Sequence, residues 1–268
     1  MSCFTAFIVE FDFISGIINY REYVVWRCKM RKYFFGIFLI FLLYGGVLYG
    51  AEYYSVNNFY ASENILAFEN FTPAQYEEEM TSRSLFKKSW AHCFAMSYMT
   101  KVFFYNADFT SSSRKLSEEE LLTKIENVLS GKHETFPEDN LFSLSQRYKI
   151  IFMKALLPLQ KKLFFSFSNL PFLLNKDPKK EFAKVKSSIM KNELALVGMK
   201  FSLMYQHVVL AYAYYEDEKS ITLQLYDSNY PALSADGDMN CTLKYNKHSG
   251  EVYNPLYGKI SNVFFIDK

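Results

Sequence analysis

A helical first two-thirds followed by a strand-rich last third makes this an α+β chain, and three observations carry that reading. Residues 89–105 contain no Gly or Pro and place apolar side chains on nearly every face. Helix punctuation recurs at Ser117, Gly131, Pro178 and Gly198. Beyond Gly198 the texture turns to β-branched and aromatic residues separated by short polar breaks. With 268 residues, 50% of them apolar, the chain can bury a sizeable core.

The elements follow in order. Residues 52–80 read as a polar, aromatic lead-in and a short helix. The stretch from Ser89 to about Tyr105, with Phe94, Met96, Met99, Val102 and Phe103, predicts a buried central helix. With Ser89 as N-cap, Cys93 falls in the first turn, where unpaired N–H groups and the positive end of the helix dipole gather. Asp108 to Arg114 is a polar loop. Ser117 ahead of Glu118, Glu119 and Glu120 opens a second helix with a capping box, and Gly131 closes it. Helical spacing returns over 141–157 and over 178–197, the latter bounded by Pro178 and Gly198. Phe201–Tyr215 and Ser220–Tyr226 form a hairpin across the turn Glu216 to Lys219, and strands at Met239–Tyr245, Gly250–Asn254 and Ser261–Ile266 extend an antiparallel sheet. No repeat or Pro/Gly/Ser-rich linker intervenes. The helical part (about 52–197) and the sheet part (about 198–268) are therefore expected as two lobes of one domain, 52–268.

The first 51 residues read differently. Tyr33 to Ala51 is free of charge over 19 positions and lies directly behind Met30, Arg31 and Lys32. A basic start followed by an apolar run is expected of a signal peptide or of a single membrane anchor, so residues 33–51 are a candidate anchor. Either outcome implies an exported protein: periplasmic, secreted or membrane-anchored. Small residues at Gly45, Gly46, Gly50 and Ala51 favour processing near Ala51, while Tyr49 opposes it. A start at Met30 suits such a signal better than the acidic, aromatic lead of residues 1–29. A buried core helix is the plainer alternative.

Charge excludes some functions. The chain carries 30 basic and 28 acidic residues, and residues 52–268 balance at zero, so no phosphate-neutralising surface and no nucleic-acid partner is expected. The 27 Phe and 21 Tyr suit core packing. No P-loop, dinucleotide fingerprint or Gly-x-Ser-x-Gly elbow is present, and no paired Cys or His spacing suggests zinc, so neither a cofactor nor a metal is implied. Beyond the first 51 residues the cysteines are Cys93 and Cys241. They pair with each other, which abolishes thiol chemistry, or they stay free.

Three residues stand in an order that makes chemical sense: Cys93 at a helix start, His207 early in a strand and Asp227 at the end of the next. Thiolates are stabilised by helix N-termini and by neighbouring imidazolium. A histidine can hold the thiol proton and return it to a leaving group, with a third group fixing the ring. Asp227 or Asn229 fits that third place. A hairpin turn centred on Asp217 sets His207 opposite Asp227, with Asn229 on the same face; a turn centred half a residue later sets Ser228 opposite instead.

The stretches Trp90-Ala91-His92-Cys93-Phe94-Ala95-Met96-Ser97, His207-Val208-Val209-Leu210-Ala211-Tyr212 and Leu225-Tyr226-Asp227-Ser228-Asn229-Tyr230-Pro231 resemble the papain-like cysteine peptidase superfamily, closest in flavour to bacterial members and bacteriocin-maturing peptidases. The resemblance covers about residues 67–268. It implies a helical lobe whose central helix begins at the cysteine, packed on an antiparallel sheet lobe that supplies His and Asp. It also implies a peptide or protein substrate cleaved through an acyl-enzyme, with Cys93 as nucleophile, His207 as base and acid, and Asp227 or Asn229 as orienter. One part departs from the pattern. Relatives carry a Gln shortly before the cysteine to donate to the oxyanion, and Ser84 to His92 contains neither Gln nor Asn. Asn70 and Gln75 are the substitutes farther upstream, beside the backbone N–H of Cys93.

Each residue also has a plainer reading: Cys93 as a buried structural thiol, His207 as a satisfied core histidine, Asp227 as an Asx-turn former. His92 packs, and His133 and His248 are solvated. Beside hydrolysis stand two rivals on the same residues, a transglutaminase-like acyl transfer to an amine and a non-catalytic binding module.

Overall fold

The computed structural model describes residues 51–70, 92–166, 175–201 and 206–266, without the side chains of 164–166. Residues 51–268 form one compact unit. Its elements are β1 (Glu52–Ser55), α1 (Ala61–Asn64), α2 (Cys93–Asn106), β2 (Ala107–Phe109), α3 (Glu118–Leu129), β3 (Glu134–Phe136), α4 (Leu141–Arg147), α5 (Lys149–Ser166), α6 (Pro178–Met190), β4 (Ala195–Lys200), β5 (Gln206–Glu216), β6 (Ser220–Tyr226), α7 (Pro231–Ala235), β7 (Thr242–Asn246), β8 (Val252–Asn254), β9 (Gly258–Ile260) and β10 (Asn262–Ile266).

Among the described residues, eight strands make one antiparallel sheet in the order β10-β4-β5-β6-β7-β8-β9, and β1 pairs with the far half of β5. The fold is thus α+β, with helices packed on an antiparallel sheet. β5 is its axis. Successive residues from His207 to Tyr214 are buried, so both faces of the strand are covered, and α2 and α6 both contact it. The Ser97 hydroxyl donates to the Val208 carbonyl at 3.1 Å, fixing α2 against β5. Behind α2 lie α3 and α5, and Phe103 packs on Phe136 and Phe152 with ring centroids 5.5 and 5.7 Å apart.

Helix ends follow their chemistry. Ser117 caps α3 through the Glu120 N–H at 3.1 Å, but the Glu120 carboxylate turns to Arg114 rather than completing the box. Gly131 takes φ +86° past the end of that helix, a conformation open to glycine at little cost. Asp177 caps α6, with Pro178 in its first turn.

Several boundaries differ from expectation. Helix α6 ends at Met190, and after a turn Ala195–Lys200 is strand β4, so Gly198 sits inside a strand rather than stopping a helix. There it faces Phe264 of β10 across the ladder, and a Cβ would meet the phenyl Cζ at 2.0 Å: the glycine makes room for the ring. The segment 141–157 is broken at Tyr148 into α4 and α5. β1, expected as lead-in to the helical lobe, belongs to the sheet, and β9 was not foreseen.

The membrane expectation is corrected. Among the described residues no helix is long and apolar enough to cross a membrane. The run 33–51 lies outside them apart from Ala51. Membrane anchoring, and the exported location that rested on the same segment, are accordingly withdrawn.

Candidate functional site

Helix α2 begins at Cys93, with His92 as its N-cap residue, three residues after the expected start; Ser89 lies outside the described residues. No side chain of the helix's own caps it. Partners from elsewhere satisfy the exposed N–H groups: the His92 N–H donates to Asn70 Oδ1 at 2.8 Å, and the Ala95 N–H to Gln160 Oε1 of α5 at 2.9 Å. The cysteine's turn is therefore held from two sides.

His207 is the second residue of β5 and Asp227 directly follows β6. The imidazole Nε2 and Asp227 Oδ1 are 2.7 Å apart, in a site where both side chains are almost wholly out of solvent. Exposure falls inward along the group: Cys93 keeps 8%, His207 3% and Asp227 none, so the cysteine is the residue nearest solvent.

The register is not the expected one. From Glu216↔Ile221 to Ala213↔Gln224 the hairpin is centred between Glu218 and Lys219, and continuing that ladder would put Asp227 opposite Leu210, on the face away from His207. A bulge at Tyr212 intervenes. Beyond it the pairs are Ala211↔Leu225 and Leu210↔Tyr226, and one further step sets Asp227 opposite Val209, on the face of His207 and one diagonal from it. By taking Tyr212 out of the ladder, the bulge restores the contact that a direct pairing was expected to make.

Asp227 is well supplied with donors. Oδ1 also accepts from the Asn229 N–H at 2.9 Å, and Oδ2 accepts from the Tyr257 hydroxyl at 3.0 Å. Burial alone would raise the carboxyl's pKa, but His207 and these hydrogen bonds outweigh it and leave the pKa below the ordinary value. Burial likewise works against protonated His207. The Asp227 charge overcomes it, Cys93 adds to the effect by charge and as a hydrogen-bond partner, and the pKa is raised to about 10. The favoured state is an imidazolium between a carboxylate and a sulfur.

Of the two candidate orienters, Asp227 bonds the ring. The Asn229 side chain donates instead to the Tyr257 oxygen at 2.8 Å and accepts from Asn70 Nδ2 at 2.9 Å. Asn70 is thus engaged at both ends of its amide, and its N–H donates to the Ser228 carbonyl at 2.6 Å. It clamps the site rather than standing open toward a substrate oxygen. Gln75 lies outside the described residues. Cys93 and Cys241 are both free thiols; burial pushes Cys241 up to about 11. His92 is buried, while exposed His133 pairs with Asp108 at 2.8 Å. Among the described residues no group of three or more His, Cys, Asp or Glu could hold a metal ion.

Two contributors escaped sequence reasoning. Tyr257 lies in a turn and Gln160 in mid-helix, and neither has a spacing that points to the site; the aromatic richness of the chain hides the first among 21 tyrosines. Comparison with protein-family models, with curated proteins and with solved structures finds no match for this chain.

Proposed function

We propose that the chain is a thiol hydrolase of papain-like kind that cleaves a peptide or isopeptide bond through an acyl-enzyme on Cys93. The single observation that carries this reading is the buried 2.7 Å pair of His207 and Asp227, electrostatically coupled to a cysteine that opens a helix. Cys93 attacks as thiolate, with its proton held on His207. A bond forms from sulfur to the carbonyl carbon, and the oxyanion that develops is met by backbone N–H at the start of α2. As the tetrahedral species collapses, the C–N bond breaks and His207 gives its proton to the departing amine. A water, deprotonated by the same imidazole, then cleaves the thioester and returns the site to its starting state. Asp227 keeps its charge throughout and holds the ring by Nε2, which leaves the other nitrogen for the sulfur.

The test is covalent labelling with a peptidyl electrophile, read by mass after digestion so that Cys93 is separated from the other three cysteines. One label per chain at Cys93, lost in Cys93→Ser and strongly slowed in His207→Ala, is the expected result. Labelling of Cys93 that ignores His207→Ala would overturn the proposal.

A further inference from the structure

We propose that Tyr257 is a positioning residue of this site, tying the acid to the start of the cysteine helix through a chain of hydrogen bonds. The inference rests on the thiol-hydrolase reading and extends it to residues outside the three reacting groups.

These links can be followed bond by bond. Tyr257 Oη donates to Asp227 Oδ2 at 3.0 Å and accepts from Asn229 Nδ2 at 2.8 Å. Asn229 Oδ1 accepts from Asn70 Nδ2 at 2.9 Å, and Asn70 Oδ1 accepts from the N–H of His92 at 2.8 Å. His92 precedes Cys93, whose sulfur couples to His207, and His207 returns to Asp227 at 2.7 Å. Sulfur, imidazole and carboxylate are thus one arc of a loop, and Tyr257, Asn229 and Asn70 are the other.

Tyr257 is suited to this by its own anchorage. It sits between β8 and β9 in a turn built on fully buried Asn254, whose Oδ1 accepts from the N–H groups of Leu256 and Tyr257 at 2.8 and 3.1 Å. The Asn254 amide in turn donates to the Thr242 carbonyl at 2.8 Å, fixing the turn to β7. The phenol ring packs beside His207, Phe201 and Tyr230 with centroids 5.7, 5.1 and 6.1 Å away. Half-buried, it is held by both its backbone and its ring, and the ring lies against that of His207.

The titratable groups facing Asp227 are His207, Tyr257, Tyr226 and Cys241. Burial keeps the last two neutral, and His207 is the partner whose charge acts on the acid. Removing the Tyr257 hydroxyl takes one donor from a buried carboxylate, which makes protonation easier and leaves the lone carboxylate worse off once the imidazole loses its proton. Both limbs of the site's pH profile then move to higher pH.

The experiment is alkylation of Cys93 by iodoacetamide in the full chain across pH, with NMR titration of the His207 imidazole as a second readout. Tyr257→Phe is expected to slow alkylation about 10- to 100-fold, as loss of a hydrogen bond to a charged group implies, and to shift both limbs and the imidazole titration upward. Asn70→Ala, which cuts the tether to the helix but leaves the donors of Asp227 in place, slows alkylation with the acid limb unmoved. Tyr253→Phe, an exposed tyrosine on β8, changes neither readout. A Tyr257→Phe protein with wild-type rate and limbs overturns the inference and leaves the hydrolase reading standing. A wild-type Cys93 no more reactive than a free thiol overturns the hydrolase reading instead; the imidazole titration then decides alone, and no shift in Tyr257→Phe removes the positioning role as well.

Discussion

The two ends of strand β5 hold charge in opposite ways. At its start His207 and Asp227 meet with side chains 3% and 1% exposed, and the hydrogen bonds of Asp227 come from a helix-free loop and a turn far along the chain. At its end Glu216 is clasped by Lys186 and by Lys247, the latter at 2.6 Å, and Lys186 reaches Glu52 of β1 at 2.8 Å, with side chains 20 to 41% exposed. The outer cluster pins β1 and α6 to the sheet while water shares the load, and such pairs contribute about 0.2–1 kcal/mol each. The inner pair has no solvent to share it, so its desolvation cost is met only by complete hydrogen bonding. An arrangement of that kind is poorly explained by stability and well explained by chemistry that needs an ionised pair in a dry place.

The contrast can be broken most sharply at Asp227. Asp227→Asn keeps the size of the side chain and removes its charge, and if the proposed function holds, alkylation of Cys93 at neutral pH should fall about 10³-fold or more, the order seen when the acid of a catalytic triad is neutralised. A loss under tenfold would place the two ends of β5 in the same structural class.

Stability against pH separates the ends next. The pKa of His207 is raised, so its contribution is whole below the unfolded value of about 6.5 and fades as pH climbs through about 10. The pKa of Asp227 is lowered, so its contribution is whole above about 3.9 and disappears as pH drops through the folded value. Urea midpoints of wild type minus Asp227→Asn should therefore peak between about pH 4 and 6.5 and decline on the alkaline side. At Glu216, burial favours the neutral acid but Lys186 and Lys247 prevail and lower its pKa. For Lys186, burial favours the neutral amine but its carboxylates prevail and raise its pKa. The outer cluster thus weakens in acid and shows no decline between pH 7 and 10. An identical alkaline decline in Glu216→Gln difference curves would erase the distinction.

A smaller effect is expected at Gly198, which lies opposite Val208 beside the inner end. Gly198→Ala must displace the Phe264 ring and should cost about 1–3 kcal/mol in denaturant titration, with slower Cys93 alkylation because β4 backs the histidine strand. Glu216→Gln is the smallest change, at about 0.2–1 kcal/mol, weakened further by added salt and without effect on alkylation.

Much of this was legible beforehand where local chemistry decides the outcome. A charged turn, though it begins after Glu216 rather than at it, the cap at Ser117 and the Pro178 start all appear in the structure, because each depends on a few neighbouring residues. What escaped depends on distant partners. Leu194 to Val197 reads equally as a helix end or a buried strand, and only pairing with β5 and β10 decides it. The roles of Asn70, Asn229 and Tyr257 follow from side chains 28 to 159 residues apart in sequence converging on one carboxylate and one helix start. No spacing encodes that convergence. The hairpin register failed for a third reason: the turn is centred between Glu218 and Lys219 rather than on Asp217, and nothing in Ala211-Tyr212-Ala213 announces the bulge that follows.

That irregularity makes the arrangement sensitive to number rather than identity. Strand side chains alternate, so deleting Tyr212 merely closes the bulge and leaves Ala211↔Leu225 in place, whereas adding or removing one residue between Ala211 and His207 sends the histidine and Asp227 to opposite sides of the sheet even if every remaining amino acid is kept. Between the bulge and His207, length changes would be tolerated only in twos. Parity, which no substitution scan would sample, is a constraint on this protein as strict as any side chain in it.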